Sequence, residues 1–504
     1  MNREQLSDAI GRLDESIVSE AMNIRRRRPW WYAAVAVAAC VCLAVGMVAA
    51  WPHLKLQGVT PSVDGVTHST NRGTTTMPST RPHHEQPDLA ISFALAKAQY
   101  PKMAARPAAD TYEDTFKTWS AAVAAQRKQA QGQTGGMTDY YAKTMAQFLR
   151  GEAGENRVYS PLNVYLALAM LAETAEGDSR QQILDLLDVS DLTALREKCS
   201  GLWNGVYLND GAVTSVLANS LWLSDDDYWQ YDMDTVNTLA QHYYASTFEG
   251  EMGSAAYNYA LQDWINEQTD NLLTEQAGGL EFDPNTVLAL ASTICFRAKW
   301  QDEFWADYNR EGVFKTANGD VPATYMTQSP MTTAYFGDRF TAVSKYLDDG
   351  AYEMSFFLPD EGVAVDDLIT DRQVLALMQG NEGAVDSEFI KVNMSIPKFD
   401  VVSDQDLMGG LKKLGVTDVF DAAKGNFGGI LAEQTDPVWV NKVQHAARVA
   451  IDEEGVTAAA YTVMQLCGSP MPQEEIDFTL DRPFLFAITG PESTILFTGV
   501  VENP

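Results

Sequence analysis

A run of small side chains close to the C-terminus constrains this chain more than any other feature. The run reads Asp452-Glu-Glu-Gly-Val-Thr-Ala-Ala-Ala-Tyr461. Gly455 can adopt backbone angles that are closed to other residues, and the alanines have no bulk that would stop the backbone sliding between strands. In an extended strand alternate side chains share a face. One face of such a strand would be small and mostly apolar, and could therefore be buried. It would consist of Val456, Ala458, Ala460, Thr462, Met464 and Leu466.

The same segment ends in residues that favour turns and loops. They read Cys467-Gly-Ser-Pro-Met-Pro472, and glycine, serine and proline are typical of turns. The segment therefore has the chemistry of an exposed loop and the side-chain pattern of a buried strand. Function is expected where local signals conflict in this way.

Further blocks on both sides of this segment complete a recognisable pattern. In chain order they are Val158-Tyr-Ser-Pro-Leu162, Ile294-Cys-Phe-Arg-Ala-Lys-Trp300, Ile396-Pro-Lys-Phe399, Leu411-Lys-Lys-Leu-Gly-Val416, Arg482-Pro-Phe-Leu-Phe486 and Ile495-Leu-Phe-Thr-Gly-Val500. Together with the segment at 452–461 they resemble the serpins, the serine protease inhibitor superfamily. The resemblance extends from about Met137 to Pro504.

The resemblance implies an α+β serpin fold. In that fold a helical N-terminal half packs on three β-sheets and presents an exposed reactive-centre loop. The residue patterns agree with it, because helical periodicity dominates the first part of the domain and β-rich segments dominate after Val287.

The resemblance also implies an irreversible suicide inhibitor of extracellular serine proteases. Cleavage of the reactive-centre loop would form an acyl-enzyme, and the cleaved loop would insert into the central sheet and trap the protease. A non-inhibitory serpin with a surface-binding or chaperone-like role is the alternative. An enzyme is disfavoured, because the sequence lacks the HExxH, GxSxG and phosphate-loop patterns.

Particular residues take their roles from the resemblance. The hinge that begins the loop comprises Glu453, Glu454, Gly455, Val456, Thr457, Ala458, Ala459 and Ala460. Trp300 is similar to the tryptophan of the breach, the top of the central sheet, where Lys398 and Glu453 resemble a charged pair. Ser160 and His445 resemble the polar cluster of the shutter, beneath the centre of that sheet.

The reactive bond is predicted near the end of the small-residue segment. Counting about seventeen residues from Glu453, the spacing that the resemblance implies, places it between Ser469 and Pro470. Proline after the bond makes a poor substrate for most serine proteases, so other positions stay open. They are Leu466, Cys467, Gly468 and Met471. None of the residues from Leu466 to Met471 is basic. This disfavours trypsin-like targets and favours elastase-like, subtilisin-like or chymotrypsin-like proteases.

An apolar run near the N-terminus predicts a membrane anchor. Residues 30–51 carry no formal charge, have tryptophans at both ends and follow four arginines, so we expect a single-pass helix with the N-terminus in the cytoplasm. The predicted organisation is a cytoplasmic segment (1–28), this anchor (30–51), a flexible stalk (53–88), a helical extension (89–136) and an external serpin domain (137–504). Signal cleavage and secretion is the alternative. The arginine-flanked anchor and the lack of a disulfide framework favour a bacterial source.

Composition narrows the set of partners. The formal net charge of −32 argues against nucleic acid and other polyanions. Five cysteines without CxxC spacing form neither a disulfide framework nor a zinc site. We therefore expect no cofactor and no metal. The protein is expected to be a monomer, and the resemblance implies that its partner is a serine protease held in a covalent acyl complex.

Overall fold

The structure, a computed structural model, describes residues 89–98, 100–103, 106–107, 114–348, 350–456 and 474–504. The predicted cytoplasmic segment, anchor and stalk lie outside these residues. Among the residues described, no helix is long and apolar enough to cross a membrane.

The helices are concentrated in the first half of the domain. They are α1 (Asp114–Arg127), α2 (Met137–Phe148), α3 (Pro161–Thr174), α4 (Gly177–Leu187), α5 (Leu192–Val206), α6 (Met233–His242), α7 (Ala255–Gln268), α8 (Thr274–Ala277), α9 (Val365–Leu368), α10 (Arg372–Met378) and α11 (Met408–Lys413).

The strands run through the whole domain. They are β1 (Ala94–Ala96), β2 (Arg157–Tyr159), β3 (Leu208–Asn209), β4 (Thr214–Ser224), β5 (Ala245–Gly250), β6 (Leu288–Lys299), β7 (Arg310–Thr316), β8 (Gly319–Gln328), β9 (Met331–Phe336), β10 (Phe340–Leu347), β11 (Tyr352–Pro359), β12 (Asp386–Pro397), β13 (Phe399–Asp406), β14 (Gln444–Ile451), β15 (Gly455–Val456), β16 (Glu475–Thr479), β17 (Phe484–Gly490) and β18 (Thr494–Val501).

Helix α3 is the central helix of the domain, and its sequence explains why it begins where it does. The Ser160 side chain accepts a hydrogen bond from the Asn163 N–H, and Pro161 occupies the first helical position, where a missing N–H costs nothing. Nearly every residue of α3 is buried, and the helix packs against β6, β18 and the neighbouring helices α4 and α5.

The first sheet has the strand order β1-β5-β4-β6-β15-β14-β13, with β3 beside β4. Strands β4 and β6 form its longest ladder, antiparallel from Thr214–Arg297 to Leu223–Leu288. On the other side of the sheet, β13 and β14 pair antiparallel along their full length. The two-residue strand β15 lies between these halves.

The second sheet has the order β2-β18-β17-β11-β10-β9-β12-β8-β7, with β16 beside β12. Three sheets were expected, and the strands of the second and third are joined in one hydrogen-bonded network. The reason is the length of β12, which pairs with β9 through Asp386–Lys391 and with β8 through Met394–Pro397. Its second half also pairs parallel with β16.

Two buried clusters hold the layers together. The larger lies between the sheets and the N-terminal helices, and includes Phe399 against Phe486 at 5.3 Å between ring centroids. The smaller lies under α7, where Trp222 stacks on Phe248 at 4.3 Å. Alanines of β6 and β14, among them Ala446, pack against this second cluster. Helix α7 therefore covers the face of the first sheet where β6 and β14 face each other.

The predicted helical extension (89–136) packs onto the domain. Besides α1 it contains the short strand β1, which pairs antiparallel with β5 and extends the edge of the first sheet. Tyr100 stacks on Trp203 at 5.4 Å. Arg106 forms ion pairs with Asp210 and with Asp348, which lie in the turns before β4 and after β10. The small side chains of β1 suit an edge strand. This strand was not predicted, because the flanking residues have a helical pattern.

Candidate reactive loop and its insertion site

The hinge begins with a tight turn between β14 and β15. The Asp452 carboxylate accepts hydrogen bonds from the backbone N–H of Glu454 at 2.9 Å and of Gly455 at 3.1 Å. The Asp452 N–H in turn donates to the Gly455 carbonyl. Because an aspartate that binds the amides two and three residues on stabilises a turn, the chain reverses here and enters the sheet as β15.

Trp300 and Phe304 hold this turn by its carbonyl groups. The indole Nε1 of Trp300 donates to the Asp452 carbonyl at 2.8 Å. The Trp300 backbone N–H donates to the Glu454 carbonyl at 3.0 Å and the Phe304 N–H to the Glu453 carbonyl at 2.9 Å. All three carbonyls of the turn are therefore bonded to the segment that follows β6.

The side chain of Glu453 pairs with Lys398, as the resemblance implies. The Lys398 Nζ lies 2.5 Å from the Glu453 carboxylate, which also accepts a hydrogen bond from the Asn309 side chain. Burial opposes ionisation of this carboxyl, but the two donors outweigh it and lower the pKa of Glu453. The pair joins the turn to the start of β13, on the far side of the opening into the sheet.

Gly455 is required by a close approach of two backbones. A Cβ at this position would lie 2.6 Å from the Lys299 Cα and would overlap the Ala298 carbonyl oxygen. Any other residue would push β15 away from β6. The next residue, Val456, is 3% exposed and pairs with Ala298 on one side and Ile451 on the other.

Strand β15 marks a line along which the first sheet is incompletely paired. It is antiparallel to both β6 and β14, so these two strands run parallel to each other. Within the described part of the chain, β15 is the strand that joins them. The edge of β6 below Ala298 and the facing edge of β14 have no other described partner strand. A strand that continued β15 in the same direction would meet both edges.

The remainder of the predicted hinge and the reactive bond lie outside the described residues. These positions are Thr457, Ala458, Ala459, Ala460, Leu466, Cys467, Gly468, Ser469, Pro470 and Met471. Their assignments stay predictions from the sequence. The described chain resumes at Glu474 and leads into β16.

Ser160 and His445 meet beneath the centre of the first sheet. The Ser160 backbone N–H donates to Nε2 of His445 at 3.1 Å, so this ring nitrogen carries no proton. The Ser160 hydroxyl donates to the Leu496 carbonyl at 2.7 Å. The imidazole packs edge-on against Tyr159 at 5.4 Å, and its burial lowers the pKa of His445 from 6.5 to about 4.

A second polar group adjoins the first and was not predicted from the sequence. The Ser292 hydroxyl bonds to the side-chain oxygens of Asn163 and Asn219, and the Asn219 amide donates to the Tyr243 carbonyl. These side chains link α3, β6 and β4. One signal was available: Asn219 lies among apolar residues between Val216 and Leu223, a segment expected to be buried, and buried polar groups need partners.

His445 makes the stability of the fold dependent on pH. Its pKa in the folded protein lies below the ordinary value, so the unfolded chain binds the proton first as the pH falls. Its contribution to the free energy of unfolding is present in full above pH 6.5 and is lost as the pH falls to about 4. We expect a loss of roughly 3 kcal/mol.

Urea unfolding at pH 7 and pH 4.5 measures this effect against the variant His445→Gln, which keeps a polar side chain without titrating. Carboxyl groups titrate in the same pH range in both proteins. The difference between the two pH responses therefore isolates the contribution of His445. Equal pH responses would contradict the assignment.

Comparison with known proteins places this geometry in a family. The sequence model described as Serpin (serine protease inhibitor) matches residues 137–504, and the chain belongs to this family. It is 28% identical to Serpin-ZX of Arabidopsis thaliana over 371 residues, which cover 69% of this chain and 92% of that protein. It is 26% identical to leukocyte elastase inhibitor A of Mus musculus, with 69% and 93% covered.

Solved structures give the same fold. The native state of the thermophilic serpin tengpin superposes with a TM-score of 0.65 at 22% identity, covering 73% of this chain and 93% of tengpin. The matched family is that of the serine protease inhibitors, and the relatives named as inhibitors are not enzymes.

Proposed function

We propose that this protein is a suicide inhibitor of extracellular serine proteases that acts by loop insertion. The observation that carries the proposal is the position of β15. Its two residues already lie between β6 and β14, in the direction that the rest of the hinge would follow. The small face predicted for Ala458 and Ala460 would let that strand continue without bulk or charge entering the core.

The chemistry belongs to the attacking protease, and this chain supplies the strand. The protease serine attacks the carbonyl of the reactive bond, an ester forms, and the C-terminal part of the loop leaves as the amine. The N-terminal part then inserts between β6 and β14 and moves the bound protease with it. The protease is displaced before it hydrolyses the ester. Inhibition follows because insertion competes with deacylation.

The target follows from the predicted bond. A reactive position at Ser469–Pro470, or at one of the small and apolar neighbours from Leu466 to Met471, fits elastase-like or subtilisin-like pockets. The relative from Mus musculus is named a leukocyte elastase inhibitor, which supports the same class of target for this chain.

The apolar run at 30–51 supports a location at a bacterial cell membrane. A single-pass helix there, with the arginines inside, would display a monomeric inhibitor on a stalk at the outer side. The protein would then protect the cell surface from proteases. Two measurements distinguish this location from secretion. An antibody against the domain should label intact cells, and the protein should remain in isolated membranes after carbonate extraction.

The decisive experiment incubates the full-length protein with an elastase, a subtilisin, a chymotrypsin and a trypsin. A complex that survives a denaturing gel with one of the first three is expected, together with a released C-terminal peptide whose mass locates the bond. Cleavage in the loop without any such complex would favour the non-inhibitory alternative. A complex with trypsin alone would overturn the inferred target class.

A further inference from the structure

Lys345 is a buried ammonium group without a carboxylate partner. It lies near the end of β10 and is 7% exposed. Its Nζ donates to the Gln328 side-chain oxygen at 2.7 Å and to the Asp302 backbone carbonyl at 2.9 Å. Among the described residues, no carboxylate lies within ion-pair distance of it. A buried charge of this kind is costly and is unusual without a purpose.

Two aromatic rings replace the missing carboxylate. The Nζ of Lys345 lies 4.5 Å from the centroid of the Phe304 ring and 5.6 Å from that of Trp300. The two rings pack edge-to-face at 6.0 Å. A desolvated ammonium attracts the faces of such rings, so its charge holds both side chains in one arrangement.

These are the residues whose backbone and indole groups bind the turn that begins the hinge. Trp300 bonds to the carbonyls of Asp452 and Glu454, and Phe304 bonds to that of Glu453. The backbone supports the same contact, because Leu347 of β10 forms an isolated β-bridge with Trp300. The ammonium of Lys345 is thus one step removed from every carbonyl of the turn.

We propose that Lys345 is a positioning residue for the loop-insertion reaction, because its ammonium keeps Trp300 and Phe304 on the hinge turn and so holds the sheet closed until the loop is cut. Loss of the charge leaves the two side chains free to move and weakens the hydrogen bonds of Trp300 and Phe304 to the turn. Strands β6 and β14 then separate more readily, and the uncut loop inserts by itself. The proposal rests on the insertion mechanism proposed above.

The charge of Lys345 changes near physiological pH. Burial lowers the pKa of this amine from 10.5 to about 8, against an opposing attraction from the Asp302 carboxylate. Of the other charged groups around the turn, Glu303 and Glu454 pair with Lys299 and Glu453 pairs with Lys398, while the Asp452 carboxylate accepts hydrogen bonds from backbone N–H groups of the turn. Met354, opposite Lys345 on β11, is neutral. Between pH 7 and pH 9 the site therefore loses its positive charge.

The local and global effects of this proton have opposite signs. The folded pKa lies below the ordinary value, so between about pH 8 and pH 10 the loss of the proton raises the global stability of the fold. Over the same range it removes the attraction to the two rings. A merely structural lysine would show the first effect alone.

The test measures insertion of the uncut loop at pH 6.5 to 9.5 in three full-length proteins. They are the wild type, Lys345→Met, which has similar length without charge, and Lys345→Arg, which keeps its charge throughout. After incubation each sample is treated with subtilisin, and the fraction with an uncut, protease-resistant loop is followed with time. Thermal unfolding of each protein is recorded at the same pH values.

We expect the wild-type rate to rise about tenfold, with a midpoint near pH 8. Lys345→Met should show the high rate at every pH and Lys345→Arg the low rate at every pH. An insertion rate of the wild type that does not change with pH, or a rise with pH that persists in Lys345→Met, would overturn the proposal. If a variant does not fold, the pH dependence of the wild-type rate alone decides. Failure of the underlying mechanism is separate: it would appear as loop-cleaved wild type that gains no heat stability.

Discussion

Cleavage of the reactive loop is expected to raise the melting temperature of this protein by on the order of 20 °C. The reason is the incompletely paired line in the first sheet. Insertion of the loop after Val456 would add hydrogen bonds to the facing edges of β6 and β14, roughly ten or more at about 1 kcal/mol each. It would also bury the small face of the segment between two existing strands.

Differential scanning calorimetry before and after limited digestion with an elastase measures this change. Mass spectrometry must show a single cut in the loop, between Leu466 and Met471. The matched control is a sample nicked elsewhere or mock-digested with inactivated protease. An unchanged melting temperature after a clean cut in the loop would show that the segment does not enter the sheet.

Replacing Ala458 with glutamate is expected to abolish formation of the stable protease complex while leaving the loop a good substrate. Val456 is already buried between Ala298 and Ile451, and by strand alternation Ala458 would share its face and become buried only when the loop inserts. A carboxylate there would be desolvated without a partner, at a cost of several kcal/mol. Insertion would slow by about a hundredfold or more, and the acyl-enzyme would hydrolyse first.

The matched control is Thr457→Glu. By strand alternation the side chain of Thr457 would point away from the face predicted for Val456 and Ala458, so this change should preserve most of the complex. The measurement is the number of inhibitor molecules consumed for each protease inactivated, with gel bands for complex and cleaved inhibitor. Equal behaviour of the two variants would mean that the face of the hinge does not govern inhibition.

Some features of the site could be read from the sequence because they are local. Side-chain alternation in a strand is a property of the backbone, so the small face of the hinge follows from residue order alone. The sequence predicts that Gly455 serves through its backbone freedom, whereas the structure gives a steric reason, the close backbone of Ala298 and Lys299. The family, and with it the fold, follows from blocks whose order is preserved along the chain.

Contacts between distant residues were beyond the sequence unless the resemblance supplied them. Ser160 and His445 are 285 positions apart, and their pairing was inferred only from that resemblance. Asn163, Ser292 and Asn219 were missed, because any buried amide or hydroxyl has many possible partners in a chain of 504 residues. The strand β1 was missed because edge pairing depends on the neighbour and not on its own three residues.

Lys345 shows most clearly what the sequence determined and what only the tertiary structure decided. The sequence by itself determined the family, and it predicts the small face of the hinge and shows that no charged residue lies around the predicted reactive bond. In sequence, Lys345 is an ordinary lysine next to exposed Tyr346. Only the packing of β10 against the turn after β6 buries its ammonium under two rings, because desolvation and ring contacts depend on atoms that the fold brings together, here from Phe304 and Trp300, 41 and 45 positions away.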